Sequence, residues 1–186
     1  HVDNKWSNKF SIKYIFNEKY SEFNNIYSAY LASDIWDDNT VLFNSDIIYH
    51  PEVLNNLLKN IKSKKDQSFL VIHDNKVLNE EDMKVQVNAN TEIKKINKKL
   101  DTKTSYGEYI GITYLCGKAR EIFLKSLKDN IDKSITSIYY EDALDDVLET
   151  ISVLPSSTKA LPWTEVDTKE DYELAKKIAS ELKVLV

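Results

Sequence analysis

Only three glycines, three prolines, one cysteine and one methionine occur in this chain of 186 residues, and each scarcity excludes something. Gly107, Gly111 and Gly117 are too few to build a glycine-rich loop of the kind that cradles phosphates. Either phosphates are not bound that way, or this sequence begins after such a loop; it opens HVDNKW, without an initiator methionine. The single Cys116 rules out an internal disulfide and any cysteine-based zinc cluster, and within its apolar run it reads as a small core residue. An excess of positive charge is also missing. The formal net charge is −5, which removes the general electrostatic footprint of a nucleic-acid binder. No apolar run approaches the length of a transmembrane helix and no signal peptide opens the chain, so the expected location is cytoplasmic, with no membrane partner. Of the three histidines, His1, His50 and His73, none has metal-ligand spacing with another. No serine or cysteine stands in a recognisable nucleophile motif either.

What is present is ordinary globular material. Hydrophobic residues make up 42% and charged residues 30%, enough for one domain over 1–186 burying about 70% of its unfolded surface. Alternation predicts a strand over 10–16, and Asn24 and Asn25 open a helical pattern carried by Ile26, Tyr30, Leu31 and Ile35. A buried strand at 40–43 releases Asp46, and Pro51 suits the first turn of a helix PEVLNNLLKNIKSK. Another buried strand follows at 67–72. This strand–helix–strand–helix–strand order predicts an α/β fold with a mostly parallel sheet. The middle differs: three short strands at 83–87, 92–96 and 108–115, the first two joined as a hairpin through Asn88-Ala89-Asn90, read as an antiparallel insertion. Helical spacing returns at 118–127, 142–153 and 169–182, the last capped by Thr168 or Asp167.

Two acids stand out because each follows a short apolar run: Asp46 in VLFNSDIIYHP and Asp167 in WTEVDTKEDYELA. Ligands of open α/β sheets bind beyond the carboxyl ends of strands, so two strand-end carboxylates could share one divalent cation with substrate phosphates. The alternative is that Asp46 caps a turn before Pro51 and Asp167 caps the last helix. A second constellation gathers Tyr139, Tyr140, Glu141 and Asp142 at a helix entrance, with Trp163 shortly before Asp167. Aromatic faces plus a carboxylate suit an ammonium group; core packing of the tyrosines and helix-start acids explain the same residues equally well. Trp6 and Trp36, with no motif around them, read as packing residues.

The run FNNIYSAYLASDIWDDNTVLFNSDIIYHPEVLNNLL resembles the middle of the nucleotidyltransferases that activate small phosphorylated compounds with a nucleoside triphosphate. EEDMKVQVNANTEIKKINKKL followed by GEYIGITYL is similar to a narrower branch, the choline-phosphate cytidylyltransferases and relatives acting on aminoalkyl phosphates or phosphonates, and WTEVDTKEDYELAKKI resembles the closing segment of both. The resemblance implies a Rossmann-like three-layer fold lacking its amino-terminal part: the family opens with a strand, a glycine-rich loop containing arginine and a Pro-Lys segment, none of which is here. It implies transfer of a nucleoside monophosphate, CMP from CTP, to a small acceptor such as phosphocholine or 2-aminoethylphosphonate, with release of pyrophosphate. Sugar-1-phosphate nucleotidyl transfer, and a non-catalytic remnant that binds a phosphorylated ligand, stay open, as does a homodimer.

Carried over by position, the resemblance makes Asp46 and Asp167 the Mg²⁺ ligands, with Lys84 in DMKV and Lys98 in NKK facing phosphate. Asn25 and Ser28 in NNIYS lie near nucleotide and acceptor, and Glu108 and Gly111 in GEYIGI line the acceptor pocket. Tyr140, Glu141, Asp142 and Trp163 surround the acceptor's cationic group. Without the motif, Lys84 is an ordinary surface lysine, and a glycine at 111 inside a strand marks a bulge or a close approach.

Overall fold

The computed structural model describes residues 9–183; His1 and Trp6 lie outside that range. Its elements, in chain order, are α1 (Asn25–Leu31), a 3₁₀ turn (Ser33–Ile35), β1 (Val41–Phe43), β2 (Ile47–Tyr49), α2 (Pro51–Ser63), β3 (Ser68–His73), β4 (Lys84–Val87), β5 (Ile93–Asn97), β6 (Gly107–Tyr114), α3 (Gly117–Asp132), α4 (Tyr140–Asp145), β7 (Val153–Ser157), β8 (Trp163–Glu165) and α5 (Lys169–Lys183). The main sheet runs β5-β4-β6-β3-β7, with β1 also against β6, and β2 and β8 form a separate two-stranded sheet. The α/β class is as expected. Parallel pairing, however, is confined to β3 with β7 among the described residues; every other pairing is antiparallel. The cause is β6, which returns between β1 and β3 and opposes both.

β3 is buried almost throughout, and its period-2 alternation divides the core. Phe69 and Val71 face one side and join Val53 and Leu57 of α2. Leu70 and Ile72 face the other, with Ile26 of α1, Phe123 and Leu127 of α3, and Ala143 and Leu144 of α4. Helices therefore cover both faces of the sheet, the layered arrangement that a strand apolar on both sides requires. Burying side chains of this size contributes about 1.5–3 kcal/mol each. Local signals set the element starts. Asn24 caps α1 by accepting the Asn25 N–H at 2.7 Å. Pro51 begins α2, where His50 Nδ1 accepts from the Glu52 N–H. Cys116 is buried as expected, and Trp36 packs on Phe123 with ring centroids 5.6 Å apart.

Two sequence expectations give way. Residues 10–16 adopt no strand, and Phe16 is 78% exposed; alternation specifies two faces but supplies no neighbouring strand to complete a ladder. The helix expected over 142–153 ends at Asp145, although Leu148 and Ile151 still reach the core through turns. Its last residue, Val153, instead begins β7, whose Pro155 is tolerated because β7 pairs only with β3 and lies at the sheet edge.

Candidate functional site

The main and small sheets are joined by the few residues between β1 and β2, and Asp46 lies in that crossing. In the small sheet Ile47 stands opposite Glu165, and just beyond it the Val166 N–H donates to the Asp46 carbonyl at 2.8 Å. This antiparallel ladder is what brings two acids distant in sequence together. Asp46, Glu165 and Asp167 each present a carboxylate oxygen, all within 4.8 Å of one another and all exposed. Thr168, not Asp167, caps α5: its Oγ1 accepts the Asp171 N–H, and Asp171 in return accepts from the Thr168 and Asp167 N–H groups. The Asp167 carboxylate takes no part in that cap. Three hard oxygen donors fit Mg²⁺, which takes one or two protein carboxylates and completes its shell with water and phosphate.

The cluster lines a cavity of about 530 Å³ that also takes in Asn25, Ser28, Lys98, Glu108, Gly111, Tyr139, Tyr140, Glu141 and Trp163. Ten of the twelve residues expected at the site therefore meet in one space. Lys84 and Asp142 do not line it. Lys84 is fully buried at 0% exposure, and its ammonium donates to the carbonyls of Asn79, Glu80 and Asp82 at 3.1, 2.7 and 3.1 Å. All three protons are thereby used, and Lys84 holds a loop rather than a phosphate. Asp142 accepts the Tyr139 N–H at 2.8 Å and the Asn97 amide, completing the start of α4.

Gly111 adopts φ +82°, where glycine is the natural residue, and its missing side chain makes room for Asn44. The Asn44 N–H donates to the Gly111 carbonyl at 2.8 Å, and Asn44 Oδ1 accepts from the Tyr140 hydroxyl at 2.7 Å. Each hydroxyl has one proton. Tyr140, having given its own to Asn44, accepts from Tyr109 at 2.8 Å, and Tyr109 from Thr113 at 2.6 Å. Burial raises both phenols well above the ordinary range, so they stay neutral donors.

Glu141 is 4% exposed, and its own backbone N–H, the Tyr140 hydroxyl and the amides of Asn25 and Asn44 lie against its carboxylate rather than a cation. Burial raises its pKa, with those hydrogen bonds pulling the other way. Glu108 is also raised by burial, to about 7, although Lys76 stands 2.7 Å away and favours the ionised form. Glu165 is raised by burial first and then by the charges of Asp167 and Asp46, while Lys98 opposes them. The cavity is strongly acidic: Asp46, Glu81, Glu108, Glu141, Glu165 and Asp167 line it, and Lys98 is the only basic side chain among its described lining. Sequence reading missed Glu165, Asn44 and Tyr109. For Glu165 a signal existed, since it stands two residues before Asp167, the spacing that sets side chains of extended backbone on one side.

No protein-family model matches the chain, and no curated protein does. Solved structures do. The chain is similar to the CTP:phosphocholine cytidylyltransferase of Streptococcus pneumoniae at TM-score 0.69 and 16% identity, covering 99% of this chain and 73% of that one. It is similar to the inositol-1-phosphate CTP transferase of T. maritima at TM-score 0.67 and 24% identity, covering 87% and 64%. A UTP-bound UGPase from Acinetobacter baumannii matches at TM-score 0.64 and 14% identity, covering 86% and 60%. The chain thus spans between 60% and 73% of the lengths of these structures. At such identities the likeness is one of fold.

Proposed function

We propose that this chain is the acceptor- and metal-binding portion of a nucleotidyltransferase that passes CMP from CTP to a small phosphorylated or phosphonylated amine, such as phosphocholine or 2-aminoethylphosphonate, releasing pyrophosphate. One observation carries the reading. The Asp46–Glu165–Asp167 cluster shares a cavity with a buried carboxylate, Glu141, that has no cationic partner among the described residues, and Tyr139, Tyr140 and Trp163 line the same cavity. The first group fits a divalent cation escorting a triphosphate; the second fits an ammonium group held by charge and by aromatic faces.

In this reading Asp46 and Asp167, with Glu165 beside them, would hold Mg²⁺, and a bound ion would supply the positive charge that phosphoryl transfer needs. Lys98 meets the acceptor phosphate or phosphonate, one of whose oxygens attacks the α-phosphorus in line while pyrophosphate leaves from the opposite side. Asn25 and Ser28 lie on α1 where nucleotide and acceptor meet, and Asn25 also orients Glu141. Glu108 and Gly111 shape the wall between them. The protein's contribution is position and charge, with no covalent enzyme intermediate. CTP is favoured by the family resemblance of the middle segments.

The test is pyrophosphate release by the natural full-length protein with CTP, Mg²⁺ and either amine acceptor, compared with sugar 1-phosphates. Turnover with the amines supports the proposal. Turnover with sugar phosphates alone replaces the acceptor assignment, and no turnover with any acceptor removes the enzymatic reading.

A further inference from the structure

Trp163 opens β8 and lies half-buried on the wall of the cavity. Its indole N–H points away from solvent-facing partners to the imidazole of His73, donating to Nδ1 at 2.5 Å, with the two rings 6.0 Å apart at 52°. His73 belongs to a different sheet: it is the last residue of β3, opposite Glu108 of β6. The metal-cluster strand and the central sheet are therefore tied by one side-chain hydrogen bond, made through the aromatic residue that faces the ligand space. An indole can only donate, and an imidazole can accept only while one ring nitrogen is unprotonated.

We propose that His73 is a positioning residue whose neutral Nδ1 fixes the Trp163 indole, and with it the aromatic wall of the cavity, to the central sheet. The geometry stands whatever the ligand is; the consequence for an amine acceptor rests on the function proposed above. The surroundings of His73 keep it in the accepting form. Burial lowers its pKa, and the ammonium of Lys76 adds to this, while Asp74 on the same strand end and Asp82 on the following loop oppose it. Glu108 faces it from β6. Asp74 itself is engaged, accepting from Ser157 Oγ of β7 at 2.7 Å. A second proton on His73 would turn Nδ1 into a donor facing a donor, and the indole would be released.

The test reads the bond directly. In ¹H–¹⁵N spectra of the natural full-length protein, with Trp163→Phe used to assign the signal, the Trp163 indole proton should exchange slowly at neutral pH. It should lose that protection on acidification as His73 titrates below its usual range. His73→Asn retains a carbonyl acceptor without a titrating group and should stay protected at both pH values; His73→Phe should be unprotected at both. Equal exchange in wild type and His73→Phe would overturn the proposal, and so would protection in wild type that ignores the state of His73. As a second readout, phosphocholine KM should rise about three- to tenfold in His73→Phe with kcat held, and recover in His73→Asn. A rise in kcat loss instead of KM overturns positioning. If wild type binds no phosphocholine, the acceptor assignment fails while the exchange experiment still decides the role of His73.

Discussion

Replacing Gly111 with alanine tests whether the cavity wall depends on one missing methyl group. A Cβ at this position would lie 2.8 Å from Cβ, Cγ and Nδ2 of Asn44, and the backbone φ of +82° is one that alanine adopts at a cost. The conformational penalty is about 1–2 kcal/mol. Asn44 must also move, which loses its bond to the Tyr140 hydroxyl and leaves a buried donor unmatched, worth about 1–3 kcal/mol. Loss of glycine's freedom in the unfolded chain returns somewhat under about 1 kcal/mol. The net expectation is a loss of about 2–4 kcal/mol in urea unfolding followed by circular dichroism. A double-mutant cycle separates the two causes. In an Asn44→Gly background the collision is gone, so Gly111→Ala should cost only the backbone penalty, and the effects should be non-additive by about 1–3 kcal/mol. Because Asp46 lies two residues beyond Asn44, the single variant should also weaken divalent-cation binding. A cost of less than about 0.5 kcal/mol, or equal costs in both backgrounds, refutes the packing argument.

Lys84→Met should destabilise the protein by about 2–4 kcal/mol in the same unfolding assay, because three loop carbonyls lose a charged donor; a phosphate-binding lysine would instead be cheap to remove and would change only kinetics. Asp46→Asn and Glu165→Gln should each weaken Mn²⁺ binding, followed by electron paramagnetic resonance, about tenfold or more; unchanged binding in both excludes the cluster as the cation site. Glu108 should make stability fall as pH rises. Its folded pKa of about 7 exceeds the ordinary 4.5, so between those values the folded state holds more protons than the unfolded state. The contribution is present at low pH, fades through this window by on the order of 2 kcal/mol, and should be absent in Glu108→Gln when unfolding is compared at about pH 5 and about pH 8. Glu141→Gln should reduce the affinity of phosphocholine about tenfold while leaving that of 3,3-dimethylbutyl phosphate, the analogue without the ammonium charge, nearly unchanged, by calorimetry; equal losses for both ligands would remove the ammonium assignment.

Most of this fold could be read from the chain because β3, β6, α2 and the β4–β5 hairpin have strong local patterns that agree with their final neighbours. The failures have one physical source: elements whose state is decided by partners. β2 and β8 are three residues each, too short for a period to show, and their pairing alone converts Asp46 and Asp167 from separate strand ends into a cluster. β7 contains a proline and three residues of modest strand preference, VLPSS, and only its edge position makes that acceptable. Lys84 shows the same limit at the site. A lysine at the start of a strand looks solvated in sequence, and nothing in DMKV tells that the preceding loop will fold back and offer three carbonyls. Glu165 differs: only the pairing of β8 with β2 sets it beside Asp46, and a three-residue strand shows no period that would place it there.

The charge of the cavity restricts what can occupy it. Six carboxylates and one lysine line the space, and a triphosphate or an acceptor phosphate brought there alone would meet repulsion from most directions. In water at a separation of about 4 Å one such like-charge pair costs only about 1 kcal/mol, but near a protein surface about 4 kcal/mol. Each anion must therefore arrive with its own positive charge. The exposed cluster on the small sheet fits a cation that travels with the nucleotide, because exposed carboxylates keep their water until a metal replaces it. The buried Glu141 fits a cation that belongs to the acceptor itself, because a carboxylate at 4% exposure has already lost water and gains most from a fixed partner. The same reasoning sets the order of selectivity: acceptors carrying an ammonium group should outcompete sugar phosphates, which lack one, most strongly where Glu141 is ionised. Burial, which raises the pKa of Glu141, then means that the preference for amines should strengthen as pH rises through the range in which this carboxyl group loses its proton.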